Sequence, residues 1–166
     1  IIVDAASGVS GAGRGPKANT QFCAVDEDFA AYAILSHRHT PEMDQVLDAT
    51  VLFTPHLAPM NRGILATCYA RPTADLYSAA ALQVMVDFYE DEPFIVIDES
   101  SPSTKATLGS NAVHMTAKVD ERTGHLVAIA AIDNLTKGAS GGAVQCANIA
   151  LGLPETTGLS TIGLLP

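Results

Sequence analysis

The sequence predicts an α+β fold, with a mixed, mostly antiparallel sheet and helices on one face. Three observations lead to this prediction. Strand-like and helix-like segments alternate irregularly, residues 111–119 and 125–135 have the pattern of a long hairpin, and no G-x-G-x-x-G motif follows a strand within a βαβ unit. The 166 residues suffice for one domain with a substantial core, so we expect a single domain over residues 1–166.

The first part of the chain contains two strand candidates and a helix start. An apolar strand at residues 1–7 leads into the glycine-rich stretch Ser7–Arg14, which predicts a loop because glycine permits backbone conformations closed to other residues. Residues 29–36 are apolar and short enough for a buried strand. The segment Thr40–Glu42 supplies a capping residue, a proline and an acidic charge, and so predicts a helix that begins there.

The middle of the chain contains three more strand candidates and one long helix. The strands are predicted at residues 50–54, 63–69 and 94–97. A helix is predicted over about residues 73–89, and Pro93 prevents its continuation. Its expected core stripe, at four-residue spacing, consists of Leu76, Ala80, Val84 and Phe88.

The last third of the chain contains the hairpin and a tail helix. In the first hairpin strand His114, Thr116 and Lys118 alternate with apolar residues, which predicts one solvent-facing side. Residues 120–124 supply the turn, and the return strand is apolar enough to be buried on both faces. A helix of small residues is expected to follow and to end near Leu151.

The composition excludes several classes of function. Hydrophobic residues make up 48% of the chain and charged residues 16%, which is typical of a globular protein and not of a disordered one. The formal net charge is −9 with only nine Lys and Arg, so we expect no nucleic-acid partner. No apolar run is long enough to span a membrane. Three widely spaced cysteines favour reduced thiols in a cytoplasmic compartment.

The segment His37–Glu42 carries the strongest chemical signal. One histidine could serve as a general acid or base, and Arg38 could bind a carboxylate or phosphate. His37, His39 and Glu42 could also form a facial metal-binding set. The remaining alternative is a solvated strand end without a chemical role, and the spacing alone leaves all three open.

Three other sites carry weaker signals. The backbone amides of Ser7–Arg14 could bind an anion, although a flexible turn explains the same residues. Cys68 lies within a predicted strand, where a buried, unreactive thiol is the favoured interpretation over a nucleophile. His56 is expected in a loop near Arg62, where both could contact substrate.

Five stretches, taken in order, resemble the N-acetyl-gamma-glutamyl-phosphate reductase family of arginine biosynthesis. Among them are Ser-Gly-Val-Ser-Gly-Ala-Gly-Arg and His-Arg-His-Thr-Pro-Glu, and the resemblance runs from residue 4 to the end. The stretches are Ser7–Arg14, His37–Glu42, Phe53–Gly63, Ala131–Gly138 and Gly141–Gly158. The resemblance implies a carboxy-terminal domain like that of glyceraldehyde-3-phosphate dehydrogenase and the related aspartate-semialdehyde dehydrogenases, without its NADP-binding Rossmann half.

The resemblance also implies roles for individual residues. His37 would be the catalytic acid/base residue. His39 and Glu42 would orient His37 or contact the substrate, a small acyl phosphate, and Arg38 and Arg62 would also contact that substrate. The cofactor NADP, bound mainly by the absent half, would be contacted by Ser10, Gly11, Arg14, Asn134 and Lys137. No resident metal is expected.

The family's nucleophilic cysteine lies in a Gly-Cys-Tyr-Pro motif upstream of the segment that matches Ser7–Arg14, and this chain begins at Ile1 without Met. We therefore expect an excised carboxy-terminal piece that is inactive alone and forms a homodimer or tetramer. The tail, about residues 138–166, is expected to pack on the missing half. Two alternatives remain: a non-catalytic dimerisation module, and a domain of an aspartate-semialdehyde dehydrogenase.

Overall fold

A computed structural model describes residues 1–164, which form one seven-stranded sheet with five α-helices. The strands are β1 (Ile2–Gly8), β2 (Ala30–Ala31), β3 (Leu52–Ala58), β4 (Ile64–Ala70), β5 (Ile95–Ile97), β6 (Val113–Asp120) and β7 (His125–Ile132). The helices are α1 (Phe22–Val25), α2 (Thr40–Leu47), α3 (Ser78–Phe88), α4 (Thr104–Thr107) and α5 (Gly141–Ala150). Within these residues no helix is long and apolar enough to cross a membrane.

The strand order is β2-β3-β1-β4-β7-β6-β5. The pairs β1–β3 and β5–β6 are parallel, and the other four pairs are antiparallel. The predicted fold class, a mixed and mostly antiparallel sheet, is therefore confirmed. The predicted hairpin is confirmed as well, since β6 and β7 pair along their whole length around a turn at residues 121–124.

The two faces of the sheet differ in burial. The strand register places Val3, Ala5 and Ala117 on one face, and all three are buried. The opposite face presents the exposed side chains of Ile2 and Leu52, although Thr116 and Ala131, farther along the sheet on the same face, are buried. Because α3 packs along β6 and β5, the helices contribute to the burial of one side of the sheet, while part of the other side remains an open apolar surface.

Strand β3 continues past the predicted end at Thr54 and includes the fully buried Pro55. The carbonyl of Pro55 accepts a hydrogen bond from the backbone N–H of Tyr32 at 3.0 Å, so Pro55 faces the β2 side. Strand β2 has only two residues, so this edge requires few donors from β3. A proline is tolerated there, and His56 consequently lies in a strand and not in the expected loop.

The strand predicted over residues 29–36 is wrong in length and burial. Only Ala30–Ala31 pair with β3, and both are exposed. The backbone then turns left-handed at Ala33 (φ 47°) and Leu35 (φ 57°), which an extended strand cannot accommodate. Helix α2 does begin at Thr40 with a proline in its first turn, as predicted.

The long helix also begins later and faces another way than predicted. Helix α3 starts at Ser78, whose hydroxyl accepts a hydrogen bond from the backbone N–H of Val119 at 2.9 Å. This bond fixes the start of the helix against β6 and turns Ala81 inward. The predicted core residues Val84 and Phe88 are 64% and 77% exposed. The predicted helix is confirmed, but Ala81, and not Val84 or Phe88, lies on its buried side.

The hairpin differs from the prediction in the burial of its strands, and the tail helix is preceded by an unpredicted turn. Thr116, predicted on a solvent-facing side, is buried, and its hydroxyl has no partner within residues 1–164. Strand β7 is mostly half-buried, and only Ala131 is fully buried, although burial on both faces was predicted. A π-helical turn at Thr136–Ser140 precedes α5. Residues 165 and 166 of the predicted tail lie outside the described residues.

Candidate functional site

The carboxylate of Asp133 lies at the centre of the end of the sheet where β1 and β7 finish. Its side chain is fully buried. Oδ1 accepts hydrogen bonds from the backbone N–H groups of Leu135 and Thr136, and Oδ2 accepts one from Gly109. Burial raises the pKa of Asp133, but these donors and Arg62 outweigh it and hold the pKa below its usual value. Asp133 is not among the predicted site residues, although it lies in the matched stretch Ala131–Gly138.

Part of the Arg62 guanidinium is occupied by contacts within the protein. Its Nη2 lies 2.8 Å from Asp133 Oδ2 and donates to Thr136 Oγ1 at 2.9 Å. The side chain nevertheless remains 35% exposed. One side of the guanidinium therefore holds the fold together, and the exposed remainder is the only part that could contact a substrate.

Asn134 joins two loops. Its Oδ1 accepts a hydrogen bond from the backbone N–H of Gly63 at 2.7 Å, and its Nδ2 donates to Ser10 Oγ at 3.0 Å. Asn134 is buried, so its amide has little access to an outside ligand. Ser10 and Gly11 belong to the 3-10 turn Val9–Ala12, and a Cβ on Gly11 would lie 3.2 Å from Ser7 Oγ. Asn134 thus supports the turn that carries the predicted cofactor residues.

The ammonium of Lys137 also points into the molecule. Nζ donates to Gln145 Oε1 at 2.8 Å and lies 5.3 Å from the centre of the Phe94 ring. Gln145 in turn donates to Glu155 Oε2 at 2.9 Å, which ties the tail to α5. Arg14, by contrast, is exposed and forms no ion pair within residues 1–164.

His37 lies among three aromatic rings. The rings of Tyr32, His39 and Phe53 meet it edge-on, with centroid distances of 5.7, 5.0 and 5.1 Å. Its Nδ1 accepts a hydrogen bond from the backbone N–H of His39 at 3.3 Å. Burial lowers the pKa of His37, and the charges of His39 and Arg38 lower it further.

The predicted site residues form two clusters and not one. Phe53, which contacts His37, pairs with Val3, five residues before Gly8 at the end of β1. The separation along the strand is roughly 16 Å at about 3.3 Å per residue. The cluster around His37 therefore lies toward one end of β1, and the cluster around Ser10 and Asn134 lies toward the other.

The remaining candidates are placed as follows. Arg38, His39 and Glu42 are exposed and could contact a ligand, but within residues 1–164 no three His, Cys, Asp or Glu side chains converge as metal ligands do.

His56 stacks on Phe29 with centroids 5.2 Å apart. Cys68 lies in β4, where burial raises the pKa of its thiol. This environment does not activate a nucleophile.

A shallow groove of about 430 Å³ adjoins the Ser10 turn and is lined by Val9, Phe22, Met60 and Asn61, among others. A larger groove of about 570 Å³ lies at the other end of the sheet, between residues 71–76 and the β6–β7 turn. No predicted site residue lines either groove. The smaller one fits a ligand site better because it adjoins the glycine-rich turn.

Comparisons with known proteins identify the relatives of this chain. It is 50% identical to the N-acetyl-gamma-glutamyl-phosphate reductase of Saccharopolyspora erythraea, and 49% identical to that of Geobacter sulfurreducens, in each case over the whole chain. The chain spans about half the length of these curated relatives, 51% of each.

Solved structures support the same architecture. A probable aspartate-semialdehyde dehydrogenase from Pseudomonas aeruginosa superposes with a TM-score of 0.72 at 14% identity, covering 90% of this chain and 54% of that one. The Vibrio cholerae aspartate semialdehyde dehydrogenase II complexed with ASA gives a TM-score of 0.67 at 15% identity, with 91% and 55% coverage. At this identity the likeness establishes the fold. The family model for the semialdehyde dehydrogenase dimerisation domain matches residues 1–134, and the chain therefore belongs to that family.

Proposed function

We propose that this chain is the substrate-binding and dimerisation half of an NADPH-dependent reductase that converts N-acetyl-glutamyl phosphate to N-acetyl-glutamate semialdehyde and phosphate. The observation that carries this proposal is the identity of about half its residues, over its whole length, with reductases of that name. The whole enzyme would act in the cytoplasm, in keeping with the three unpaired cysteines.

The proposed chemistry needs a cysteine from the half that precedes this segment in its relatives. Its thiolate would displace phosphate from the acyl phosphate and leave a thioester, and NADPH would supply the hydride. The thiohemiacetal would then collapse to the aldehyde and regenerate the thiol. His37 would hold or move a proton at its imidazole during these steps, since it is the partly buried histidine beside the exposed Arg38 and His39.

The substrate residues would come from two places. Arg38, His39 and Glu42 are exposed around His37 and free to approach an acyl phosphate. Arg62 lies at the other end of β1 and would contribute only the part of its guanidinium that Asp133 and Thr136 do not occupy. We propose the first three as substrate contacts, with Arg62 chiefly a structural link.

The predicted cofactor residues fit NADP unequally. Gly11 and the cationic Arg14 are exposed, and the hydroxyl of Ser10 can still donate to a negatively charged group. The backbone N–H of Ser10 already donates to the carbonyl of Asn61 at 3.1 Å. Asn134 and Lys137 use their polar atoms within the chain. We therefore propose direct contacts for Ser10, Gly11 and Arg14, and a supporting role for Asn134 and Lys137.

Helix α5 buries a polar side chain and exposes apolar ones. This arrangement favours a contact between α5 and another domain. Asn148 is buried and donates to the carbonyls of Glu155 and Thr157. The apolar Val144, Ile149 and Leu151 are exposed. An exposed apolar helix face is costly in water. We propose that the tail, about residues 138–166, packs on the NADP-binding half.

The exposed apolar side chains on one face of the sheet favour a contact with a second copy of this chain. Ile2, Leu52 and Val96 are exposed on that face, and the matched family is named for dimerisation. Two such faces can pack against each other about a twofold axis, which is the commonest symmetry of homo-oligomers. We propose a homodimer, or a tetramer built from such dimers.

The test combines this chain with the upstream half of a relative, supplied in trans. We expect oxidation of N-acetylglutamate semialdehyde that requires both NADP and inorganic phosphate, and only when both halves are present. His37→Ala should abolish most of it, whereas His114→Ala, a half-buried histidine of β6, should not. Two halves that associate without this activity would contradict the proposal, and activity from this chain alone would contradict the assignment of the nucleophile to the upstream half.

A further inference from the structure

The two ring nitrogens of His37 have different surroundings. Nδ1 faces the backbone of its own turn and accepts the N–H of His39 at 3.3 Å. Nε2 has no hydrogen-bond partner within residues 1–164. The edge-on contacts with Tyr32 and Phe53 restrict rotation of the ring, so this arrangement does not depend on the backbone amide alone.

A neutral imidazole has one N–H and one lone pair. A backbone amide can only donate, so the nitrogen that it contacts must present the lone pair. The other nitrogen then carries the proton, and the second hydrogen bond of the ring fixes this choice.

We propose that the backbone amide of His39 holds neutral His37 in the Nε2–H form, with Nε2–H as the group available to a ligand. The amide of His39 is thus a positioning group that acts through His37. Burial lowers the pKa of His37, and the charges of His39 and Arg38 lower it further, so the neutral ring to which the proposal applies is favoured.

The consequence for chemistry rests on the proposed function. Nε2–H can donate a hydrogen bond to an oxygen that gains negative charge, as the carbonyl oxygen of an acyl group does when a nucleophile or hydride adds to its carbon. In this form Nε2 has no lone pair with which to accept the proton of a thiol. His37 would therefore stabilise the oxyanion, and it could act as a base at Nε2 only after the bond to His39 breaks.

The test is long-range ¹H–¹⁵N correlation spectroscopy of the chain by itself, at a pH where histidine is neutral, because the two ring nitrogens of each tautomer give distinct shifts. We expect His37 to show only the Nε2–H form. His39→Pro removes the amide hydrogen at a residue whose φ of −88° lies near the range of proline, and we expect a substantial Nδ1–H fraction in that variant. The matched variant His39→Ala removes the imidazole but keeps the amide, and should retain the Nε2–H form.

A mixture of tautomers in the unsubstituted chain, or the same tautomer in His39→Pro and His39→Ala, would overturn this inference. Either result would leave the proposed function intact, because the spectra require no turnover. Conversely, a pure Nε2–H form without activity of the reconstituted halves would contradict the proposed function and not the tautomer.

Discussion

Arg62 Nη2 lies 2.8 Å from the fully buried Asp133 Oδ2, and this pair joins the loop before β4 to the residue that follows β7. The same carboxylate accepts three backbone N–H groups. A charge can be buried at acceptable cost only when its hydrogen-bonding positions are filled in this way. Asp133 therefore links the backbone at Gly109, Leu135 and Thr136 to Arg62 at the end of the sheet near Ser10.

Replacing Asp133 with Ala should strongly destabilise the chain. The substitution leaves the N–H groups of Gly109, Leu135 and Thr136 without an acceptor and Arg62 without its counter-ion. We expect the free energy of unfolding to fall by about 3 kcal/mol or more, measured by urea denaturation.

The matched control is Arg122→Ala. Arg122 pairs with Asp120 at 3.7 Å on the surface, with 83% of its side chain exposed. Its loss should change the free energy of unfolding by less than about 0.5 kcal/mol. Equal effects of the two substitutions would show that burial does not determine the contribution of these ion pairs to stability.

Stability should also fall in acid, partly through Asp133. The folded-state pKa of this carboxyl lies below its unfolded value of about 3.9. The carboxylate therefore stabilises the fold above that pH, and the stabilisation disappears as the pH falls through the folded-state pKa. Circular dichroism at a series of pH values should show a loss of stability below about pH 4.

Asp133→Asn should make that pH dependence shallower, although a slope should remain. The pKa values of Asp98 and Asp120 are also lowered, in both cases chiefly by hydrogen bonds from nearby hydroxyls. A variant whose slope matched that of the unsubstituted chain would show that Asp133 does not contribute to the acid sensitivity.

Sequence patterns predicted the parts of the fold that depend on neighbouring residues. They failed where contacts between distant parts of the chain determine the structure. The hairpin was predictable because its turn and alternation are local features. The inward side of α3 was not, because both of its sides carry apolar residues and contacts with β6 and β5, including the bond from Val119 to Ser78, determine which side is buried. The strand at residues 29–36 failed because nothing local indicates left-handed backbone at Ala33.

Gly63→Ala should destabilise the chain through a steric clash. Gly63 has φ of 113°, and an added Cβ would lie 2.7 Å from Thr104 Cβ. Both strain and overlap oppose a side chain, so we expect a loss of about 2 to 4 kcal/mol in the free energy of unfolding. Gly15→Ala is the control, since a Cβ there meets no atom within 4 Å and its φ is not left-handed. A control that lost as much stability would refute the steric explanation.

Leu52→Lys should weaken self-association. Leu52 is 46% exposed on the open face of the sheet, and a buried lysine across a symmetric interface would place like charges close together. Sedimentation equilibrium should show a dissociation constant raised at least about tenfold, equivalent to 1.4 kcal/mol. Val46→Lys on α2, at a site 82% exposed, should leave association unchanged. The opposite pattern would place the interface on α2.

The functional site was less predictable than the fold. The segment His37–Glu42 showed which residue types were present, but not that the ring of His37 is enclosed by Tyr32 and Phe53. The resemblance predicts Asn134 and Lys137 as ligand contacts because both lie in the matched stretch Ala131–Gly138. Their partners Ser10 and Gln145 lie 124 and 8 residues away along the chain, and the longer of these contacts has no local signal.

The three cysteines should differ in reactivity, which tests whether Cys68 is a nucleophile. Cys23 and Cys146 are exposed, whereas Cys68 is half-buried in β4 and its pKa is raised by burial. Only the thiolate attacks an alkylating reagent, so a raised pKa and limited access both slow the reaction. Iodoacetamide followed by peptide mass spectrometry should modify Cys68 at least about tenfold more slowly than the other two. In urea all three should react at similar rates, which separates the effect of the fold from that of the neighbouring sequence. If Cys68 reacted fastest in the folded chain, its thiol would be activated, and this chain could then form the thioester without an upstream cysteine.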